Sequence, residues 1–259
     1  MRFDSINGRI THVTHRCQLS PVLNRPLISA SATAVARMKK SIQQLVNDIE
    51  TEVRYTHKIT GISKFSDKLM QAIENVPRDQ FVPESLRRYA FDNGPLPIGY
   101  SQTISQPFIV ALMTELLDLK NDHKILEVGT GSGYQTAVLA QLCDHVFSIE
   151  RIAELSELAK QRFKAMNYNN IVAEVGNGCN GWIEHAPYDG IIVTAAANSV
   201  PEALINQLKV DGKMVIPVGA GKLHQQLLLV TKRADLTLET RVILDVAFVP
   251  LVDGDSELH

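Results

Sequence analysis

The sequence predicts an α/β fold: a mainly parallel sheet with helices on both faces, preceded by an N-terminal helical cap. After Asn121, short apolar runs alternate with helical patterns, which is typical of βαβ units. Before Asn121, apolar residues recur every three or four positions, which is typical of helices that bury one face. A chain of 259 residues, 45% hydrophobic and 21% charged, is also long enough and apolar enough for one sizeable core.

Composition and charge narrow the class of protein. A formal net charge of −2 disfavours binding to nucleic-acid phosphates. Cys17, Cys143 and Cys179 are far apart and form no CxxC pair, so we expect a reducing compartment. No apolar run reaches the roughly 18 residues of a membrane span. These features fit a soluble cytoplasmic monomer that binds neither nucleic acid nor membranes.

The first predicted segment, residues 1–37, differs from the rest of the chain. It has five arginines, one acidic residue, no lysine and no sustained periodicity, so we expect a disordered or atypical extension. A transit peptide is the alternative, but no amphipathic helix supports it. His12, His15 and Cys17 have a spacing that could bind a metal, but without a fourth ligand we expect no metal site.

The second segment, 38–107, is predicted to contain helices followed by a loop. The apolar faces of Ile42–Val53 and Leu69–Val76 predict two helices, and Glu84–Phe91 predicts a third, short one. Asp92–Ser105 contains glycines and prolines without a helical or strand period, and is predicted to be a loop.

The third segment, 108–259, is predicted to be the α/β domain, and 38–259 one compact unit. The next helix starts at Pro107, and helices are also predicted over Tyr134–Leu142, Ile152–Met166 and Pro201–Leu208. The predicted strands are Ile125–Val128, His145–Glu150, Ile171–Val175, Tyr188–Thr194, Lys213–Val218, Gln226–Lys232 and Arg241–Leu251. The last two follow each other without a helix, which predicts a mixed edge of the sheet.

A glycine loop, Gly129–Gly133, joins the first of these strands to a helix. Glycines let the backbone approach a ligand closely, and a helix N-terminus favours an anionic group. Glu150 ends the next strand, 150 − 129 = 21 residues after Gly129, where an acid accepts hydrogen bonds from ribose hydroxyls. This spacing predicts a ribose-bearing cofactor. An NAD-dependent enzyme stays open as an alternative.

Several ordered motifs resemble those of one enzyme family. Gly-x-Gly-x-Gly after the acidic strand end Glu127 resembles the first motif of class I S-adenosylmethionine-dependent methyltransferases. Further segments are similar to those of the protein-L-isoaspartate O-methyltransferases: Val76–Pro83, Leu96–Pro107, Ala186–Ala197, Ile216–Gly219 and Phe248–Val252. The resemblance implies a class I methyltransferase (Rossmann-like) fold with S-adenosylmethionine as cofactor. It also implies methyl transfer to the α-carboxylate of L-isoaspartyl residues in damaged proteins and peptides, which are the expected partners.

The resemblance also assigns residues to the site. Ser105 would be the catalytic serine, orienting the substrate carboxylate or the cofactor; the alternative is that it only caps the helix at Pro107. The implied cofactor-binding residues are Thr103, Glu127, Gly129, Thr130, Gly131, Ser132, Gly133, Glu150, Arg151, Asn177, Gly178 and Thr194. The implied substrate-binding residues are Ile98, Gln102, Ser105, Ala196 and Val218.

The chain departs from the family pattern at Asn177, where aspartate is usual and accepts a hydrogen bond from the adenine amino group. Asparagine keeps an acceptor oxygen but loses the charge, so cofactor binding is expected to weaken modestly. Two other functions stay open: a class I methyltransferase with a different substrate, and a binding module without catalysis. The Pro97–Pro107 segment argues against the methyltransferase with a different substrate, and cofactor titration tests the binding module.

Overall fold

The computed structural model describes residues 32–219 and 224–253. Its first helix, α1 (Ala32–Thr60), begins before the boundary predicted at residue 38. The rest of the predicted extension lies outside the described residues, as do His12, His15 and Cys17. No helix in the described ranges is both long and apolar enough to cross a membrane.

The N-terminal part is helical, as its periodicity predicts. Leu45, Ile49 and Val53 lie on one face of α1 and are buried. The next helix, α2 (Asp67–Asn75), buries a stripe that includes Leu69. The apolar faces of α1 and α2 pack together because their contact removes apolar surface of both helices from water.

Two predictions in the following segment are wrong in detail. The predicted loop contains a hairpin, β1 (Leu96–Gly99) and β2 (Gln102–Ile104), and the expected short helix is a 3-10 helix over Glu84–Tyr89. The hairpin strands are only three or four residues long and include a proline, so they show too little alternation to predict a strand. Helix α3 (Pro107–Leu116) begins at its proline, as predicted.

A seven-stranded sheet forms the centre of the fold. Its strands are β3 (Lys124–Val128), β4 (His145–Glu150), β5 (Ile171–Val175), β6 (Tyr188–Val193), β7 (Leu208–Val218), β8 (Gln225–Lys232) and β9 (Leu238–Val246). The order across the sheet is β5-β4-β3-β6-β7-β8-β9, with β3 to β7 parallel and β8 and β9 antiparallel. The predicted mainly parallel sheet with a mixed edge is confirmed.

Helices cover both faces of this sheet. They include α4 (Tyr134–Ala140), α5 (Ala153–Ala165) and α6 (Glu202–Gln207). Ile125 and Leu126, which are consecutive on β3, belong to two different hydrophobic clusters because successive strand residues face opposite sides. The cluster of Ile125 also contains Leu45 and Phe108, so the N-terminal helices share a core with the sheet. Truncating Phe108 to alanine is expected to cost about 3–5 kcal/mol.

Two strand bounds differ from the prediction in the C-terminal half. β7 begins at Leu208, before the strand start predicted at Lys213, and Asp211 within it has a φ of +62°. β9 ends at Val246, whereas the predicted strand continues to Leu251. Pro250 lies in the segment that leaves the sheet, and proline lacks the N–H that a strand ladder needs.

The carboxyl ends of the central strands lie at one level. Val128 of β3 is in register with Ile149 of β4 and with Val193 of β6. The chain proceeds from β3 to β4 and β5 on one side, then crosses to β6 on the other. Ligands of open α/β sheets bind at such a switch point, which places the candidate site at this edge.

Candidate active site

A cleft opens at the carboxyl ends of β3, β4 and β6. Its walls are the glycine loop, the end of β4, the segment before α3 and a stretch near the C-terminus. The predicted site residues that line it are Gln102, Thr103, Ser105, Gly129, Thr130, Gly131, Ser132, Glu150, Arg151, Gly178 and Thr194. The structure therefore brings most of the predicted site together.

The loop after β3 needs its glycines. Gly129, Gly131 and Gly133 have φ values of +98°, +52° and +88°, in the left-handed region that glycine tolerates best. A Cβ atom on Gly129 would lie 2.4 Å from Thr194 Oγ1, and one on Gly133 would lie 2.7 Å from the Phe163 ring. Thr194 Oγ1 donates a hydrogen bond to the Gly129 carbonyl at 2.7 Å. Thr194, which follows β6, and Phe163 on α5 therefore hold the loop in place.

Glu150 points its carboxylate at this loop. Its Oε2 accepts a hydrogen bond from the Gly131 N–H at 2.7 Å, and its Oε1 accepts one from the Ile152 N–H at 2.9 Å. A carboxylate oxygen has two acceptor positions, so each oxygen keeps one for a ligand hydroxyl. A carboxylate that lines the cleft and offers two acceptors fits a ribose, as the position of Glu150 predicts.

Glu127 lies beneath the loop and does not line the cleft. Its side chain is 0% exposed, and its Oε2 accepts hydrogen bonds from Ser148 and Thr136, each at 2.5 Å. Ser148 Oγ lies 2.6 Å from Thr130 Oγ1, which connects the acid to the loop. Burial raises the pKa of Glu127 to about 8. The two hydrogen bonds lower this pKa, but their effect is smaller than that of burial. Glu127 is therefore placed to support the loop from below.

Ser105 lines the cleft just before α3, and it is not the helix cap. The N-cap position belongs to Gln106, whose side chain makes no capping bond. The N–H of Phe108 instead donates to Asn93 Oδ1 at 3.0 Å. The alternative that Ser105 only caps this helix is therefore wrong, because Asn93 accepts the bond from the first turn.

Arg78 holds the main chain of Ser105 and was missed in the sequence. Its guanidinium is buried, 1% exposed, and Nη2 donates to the carbonyls of Ser105 at 3.1 Å and Gly94 at 3.0 Å, while Nη1 donates to Ala90 O. The guanidinium carbon lies 5.6 Å from the ring centroid of Tyr134, which follows the glycine loop. Burial lowers the pKa of Arg78 to about 10, so it stays charged at neutral pH. Its only signal in the sequence is its place in the Val76–Pro83 motif.

The predicted substrate residues outside the cleft lining lie beside it. Ile98 on β1 is close to the loop, since a Cβ on Gly131 would lie 3.5 Å from Ile98 Cδ1. Ala196 forms a parallel bridge with Pro250, and Val218 forms one with the neighbour of Ala196, Ala197. These residues thus join the end of β7 to the C-terminal wall of the cleft.

The C-terminal wall was also missed as part of the site. Residues 249–252, predicted to end a strand, line the cleft beside Gly178. Asn177 lies next to this wall: its Oδ1 accepts from the Cys179 N–H at 3.0 Å, and its Nδ2 donates to Asp253 Oδ1 at 2.9 Å. The family motif Phe248–Val252 is the signal that could have placed this segment at the site.

Across residues 32–219 and 224–253, His, Cys, Asp and Glu side chains form no group of three that could hold an ion. The cleft instead combines a glycine loop with an acidic strand end.

Fold and cleft together define a class I methyltransferase: a mainly parallel sheet, a glycine loop after β3 and an acid at the end of β4. The sequence model described as protein-L-isoaspartate(D-aspartate) O-methyltransferase (PCMT) matches residues 47–256. The chain belongs to this family, so the family and the fold class predicted from the sequence are confirmed.

Curated relatives match most of the chain. Protein-L-isoaspartate O-methyltransferase 2 of Syntrophobacter fumaroxidans is 50% identical over 211 residues, covering 82% of this chain and 85% of the relative. Protein-L-isoaspartate O-methyltransferase of Vibrio campbellii is 54% identical over 196 residues, covering 76% of this chain and 92% of the relative. The similarity thus covers about three quarters of this chain or more in both relatives.

Solved structures agree with the architecture. One is a protein-L-isoaspartate O-methyltransferase that is 27% identical to this chain, with a TM-score of 0.67. The alignment covers 80% of this chain and 66% of the other. A Plasmodium falciparum β-aspartate methyltransferase (PCMT), solved in complex with S-adenosyl-L-homocysteine, is 24% identical with a TM-score of 0.68. That alignment covers 83% of this chain and 98% of the other, and it supports the fold alone.

Proposed function

We propose that this protein is a repair enzyme that methylates the α-carboxylate of L-isoaspartyl residues in damaged proteins and peptides, using S-adenosylmethionine. The observation that carries the proposal is that Ser105, Glu150 and the glycine loop line one cleft in a member of this family. Residues assigned to the reaction and residues assigned to the cofactor therefore face the same space.

The residues of the cleft fit the cofactor. Glu150 keeps acceptor positions for the two ribose hydroxyls, and its negative charge suits a cationic ligand. Val128, Ile149 and Leu251 supply apolar walls for the adenine ring. We further assign cofactor contacts to the predicted residues that line the cleft: Thr103, Thr130, Ser132, Arg151, Gly178 and Thr194.

The chemistry asks little of the protein beyond positioning. When bound, S-adenosylmethionine would supply a methyl group on a positively charged sulfur: the carboxylate oxygen would form the new bond to the methyl carbon, and S-adenosylhomocysteine would leave with the electron pair of the broken C–S bond. The substrate carboxylate has an ordinary pKa near 4 and is already ionised at neutral pH, so no general base is needed. Ser105 can donate a hydrogen bond that orients this carboxylate. Positioning and exclusion of water are together worth several kcal/mol, roughly.

The substrate is expected to lie in an open groove beside the hairpin. Gln102 lines the cleft there, and Ile98 lies against the glycine loop. Ala196 and Val218 are placed to contact the peptide near the end of β7. A flexible, damaged peptide fits an open groove better than a closed pocket.

Three finer assignments complete the proposal. The shared core of the N-terminal helices and the sheet supports one compact unit over 38–259. The near-neutral net charge of −2 supports protein rather than nucleic acid as the partner. The scattered cysteines, Cys17, Cys143 and Cys179, support a cytoplasmic location, and a monomer is the expected oligomeric state.

Three variants test the assignments, two by kinetics and one by calorimetry. Ser105→Ala should lower the turnover of an isoaspartyl peptide at least about tenfold with cofactor binding nearly unchanged. Glu150→Gln should instead weaken binding of S-adenosylhomocysteine in calorimetry, because ribose hydroxyls bond more strongly to a charged acceptor. Ser85→Ala, on the exposed 3-10 helix, is the matched control. Turnover of Ser105→Ala equal to that of Ser85→Ala would remove Ser105 from the mechanism.

A further inference from the structure

The segment Phe248–Asp253, called the strap below, forms the C-terminal wall of the cleft. Its first half is held by main-chain bonds: Ala196 N donates to Val249 O at 2.8 Å, and Leu251 N donates to Ala196 O at 2.7 Å. The buried Gln225 side chain also bonds to both the N–H and the carbonyl of Phe248. This half is therefore anchored to the sheet.

The other end of the strap is held by side chains from two strand ends. Arg151 Nη1 donates to Val252 O at 3.1 Å, and Asn177 Nδ2 donates to Asp253 Oδ1 at 2.9 Å. The pair of Asn177 and Asp253 is exposed, whereas the anchoring residue Ala196 is buried. Exposed hydrogen bonds break more readily than buried ones, so the strap is expected to open from this end.

We propose that Asn177 and Asp253 form a latch that holds the end of the strap over the cleft and thereby sets how fast the cofactor enters and leaves. Asn177 follows β5 and Asp253 ends the strap, so the pair ties the strap to the segment before Gly178, which lines the cleft. The identity of the ligand rests on the proposed function. The latch itself rests on hydrogen bonds of this chain.

The chemistry of the pair makes the latch testable. It needs one donor and one acceptor: the Asn177 amide donates, and the Asp253 carboxylate accepts. Aspartate at 177 would place two carboxylates at hydrogen-bond distance, and they would repel each other. Asparagine at 253 keeps an acceptor oxygen. The double variant Asn177→Asp/Asp253→Asn exchanges donor and acceptor, because the amide at 253 donates to the carboxylate at 177.

The titratable neighbours do not change this expectation. Burial is the main cause that raises the pKa of the Cys179 thiol; Asp253 also raises this pKa, and Arg151 lowers it. The thiol is therefore neutral at pH 7, and Arg151 is the nearby cation. Arg151 keeps its charge while it bonds to the strap carbonyl, so it would offset part of the repulsion between a carboxylate at 177 and Asp253, but it would not restore the hydrogen bond between them.

Hydrogen exchange of the protein without ligand tests the latch directly. Asn177→Asp should raise the exchange rate of the amides of Val252 and Asp253, at the latched end of the strap, about tenfold, with Leu251 N–H as the anchored reference. Asp253→Asn should stay within about twofold of the unmodified protein, and the double variant should return to it. Asn180→Asp, a matched change at an exposed neighbour, should have no effect.

Dissociation of S-adenosylhomocysteine gives the functional measurement. Asp253→Ala removes the acceptor and leaves the cofactor-binding residue Asn177 unchanged, so it should release S-adenosylhomocysteine about tenfold faster, whereas Asp253→Asn should release it at the original rate. Unchanged strap exchange in Asn177→Asp, release from Asp253→Ala no faster than from the unmodified protein, or a double variant as open as Asn177→Asp would overturn the latch. If the unmodified protein fails to bind S-adenosylhomocysteine, the proposed function fails, and hydrogen exchange still decides the latch.

Discussion

The buried guanidinium of Arg78 donates a hydrogen bond from Nη2 to the main-chain carbonyl of Ser105 at 3.1 Å. None of the ion pairs among the described residues involves Arg78, so carbonyl dipoles and the Tyr134 ring surround its charge. The same side chain thus joins the loop of Ser105 to the helix after the glycine loop. We infer that Arg78 is a positioning residue for the reaction.

Arg78→Lys tests this relationship. A lysine ammonium cannot match the planar fork that reaches three carbonyls, so we expect a loss of about 1–3 kcal/mol in the free energy of unfolding. We also expect at least about a tenfold lower kcat with a nearly unchanged KM for the cofactor. Urea unfolding and steady-state kinetics measure the two effects.

The control for Arg78 is Arg88→Lys on the exposed 3-10 helix, which should change neither quantity. If Arg78 acts through Ser105, Ser105→Ala and Arg78→Lys should have less than additive effects on kcat. Fully additive effects would mean that Arg78 only stabilises the fold.

The glycine loop gives a second prediction. Gly129→Ala places a Cβ 2.4 Å from Thr194 Oγ1 and requires a left-handed backbone, so we expect loss of cofactor binding and a lower melting temperature. Gly94→Ala is the matched control, because a Cβ there meets no atom within 4 Å. Equal S-adenosylhomocysteine affinity in the two variants, measured by calorimetry, would contradict the role given to the loop.

Glu127 predicts a pH dependence of stability. Burial raises its pKa from 4.5 to about 8, so between these values the folded state holds a proton that the unfolded state has lost. The contribution of this proton to the free energy of unfolding is complete below about pH 4.5. It falls as the pH rises towards about 8, by up to about 1.4 kcal/mol per pH unit. Glu127→Gln is neutral at every pH and lacks the effect.

The measurement is urea unfolding of both proteins at about pH 5.5 and about pH 7.5. The free energy of unfolding of Glu127→Gln, relative to the unmodified protein, should increase with pH. A constant difference would show that Glu127 is ionised in the folded state over the whole range.

The hairpin beside the cleft gives a fourth prediction. Tyr100 and Ser101 form its two-residue turn with φ values of +52° and +56°, a conformation that costs non-glycine residues roughly 1–2 kcal/mol each. Replacing the pair by Asn-Gly should therefore raise the free energy of unfolding by about 1 kcal/mol or more. Ser101→Gly alone should give part of this gain. A decrease in thermal stability would show that the turn is not strained.

Much of this architecture is predictable because it rests on local patterns. The run from Ile125 to Gly133 shows an apolar strand, a glycine loop and a helix start within a few residues, and Glu150 follows at a diagnostic distance. Periodicity and glycine chemistry act over such short stretches, so the sequence alone places the cofactor side of the cleft.

The remaining parts depend on contacts between distant residues. Arg78 meets Ser105 across 27 positions of sequence, and Asn177 meets Asp253 across 76. Neither pair has a spacing that a periodic pattern could reveal. The hairpin is not predicted for a different reason. Its strands are too short to show alternation, and its turn residues Tyr100 and Ser101 are not the asparagine and glycine that usually adopt a left-handed conformation there.

We expect the cleft to select isoaspartate, and methyl transfer to two matched peptides tests this selectivity most directly. The peptides differ only in carrying L-isoaspartate or L-aspartate at one position, and the methyl group of S-adenosylmethionine is labelled. We expect label in the isoaspartyl peptide alone, and at least about tenfold less with Ser105→Ala. Equal labelling of both peptides, or labelling of neither by a folded protein that binds the cofactor, would contradict the account.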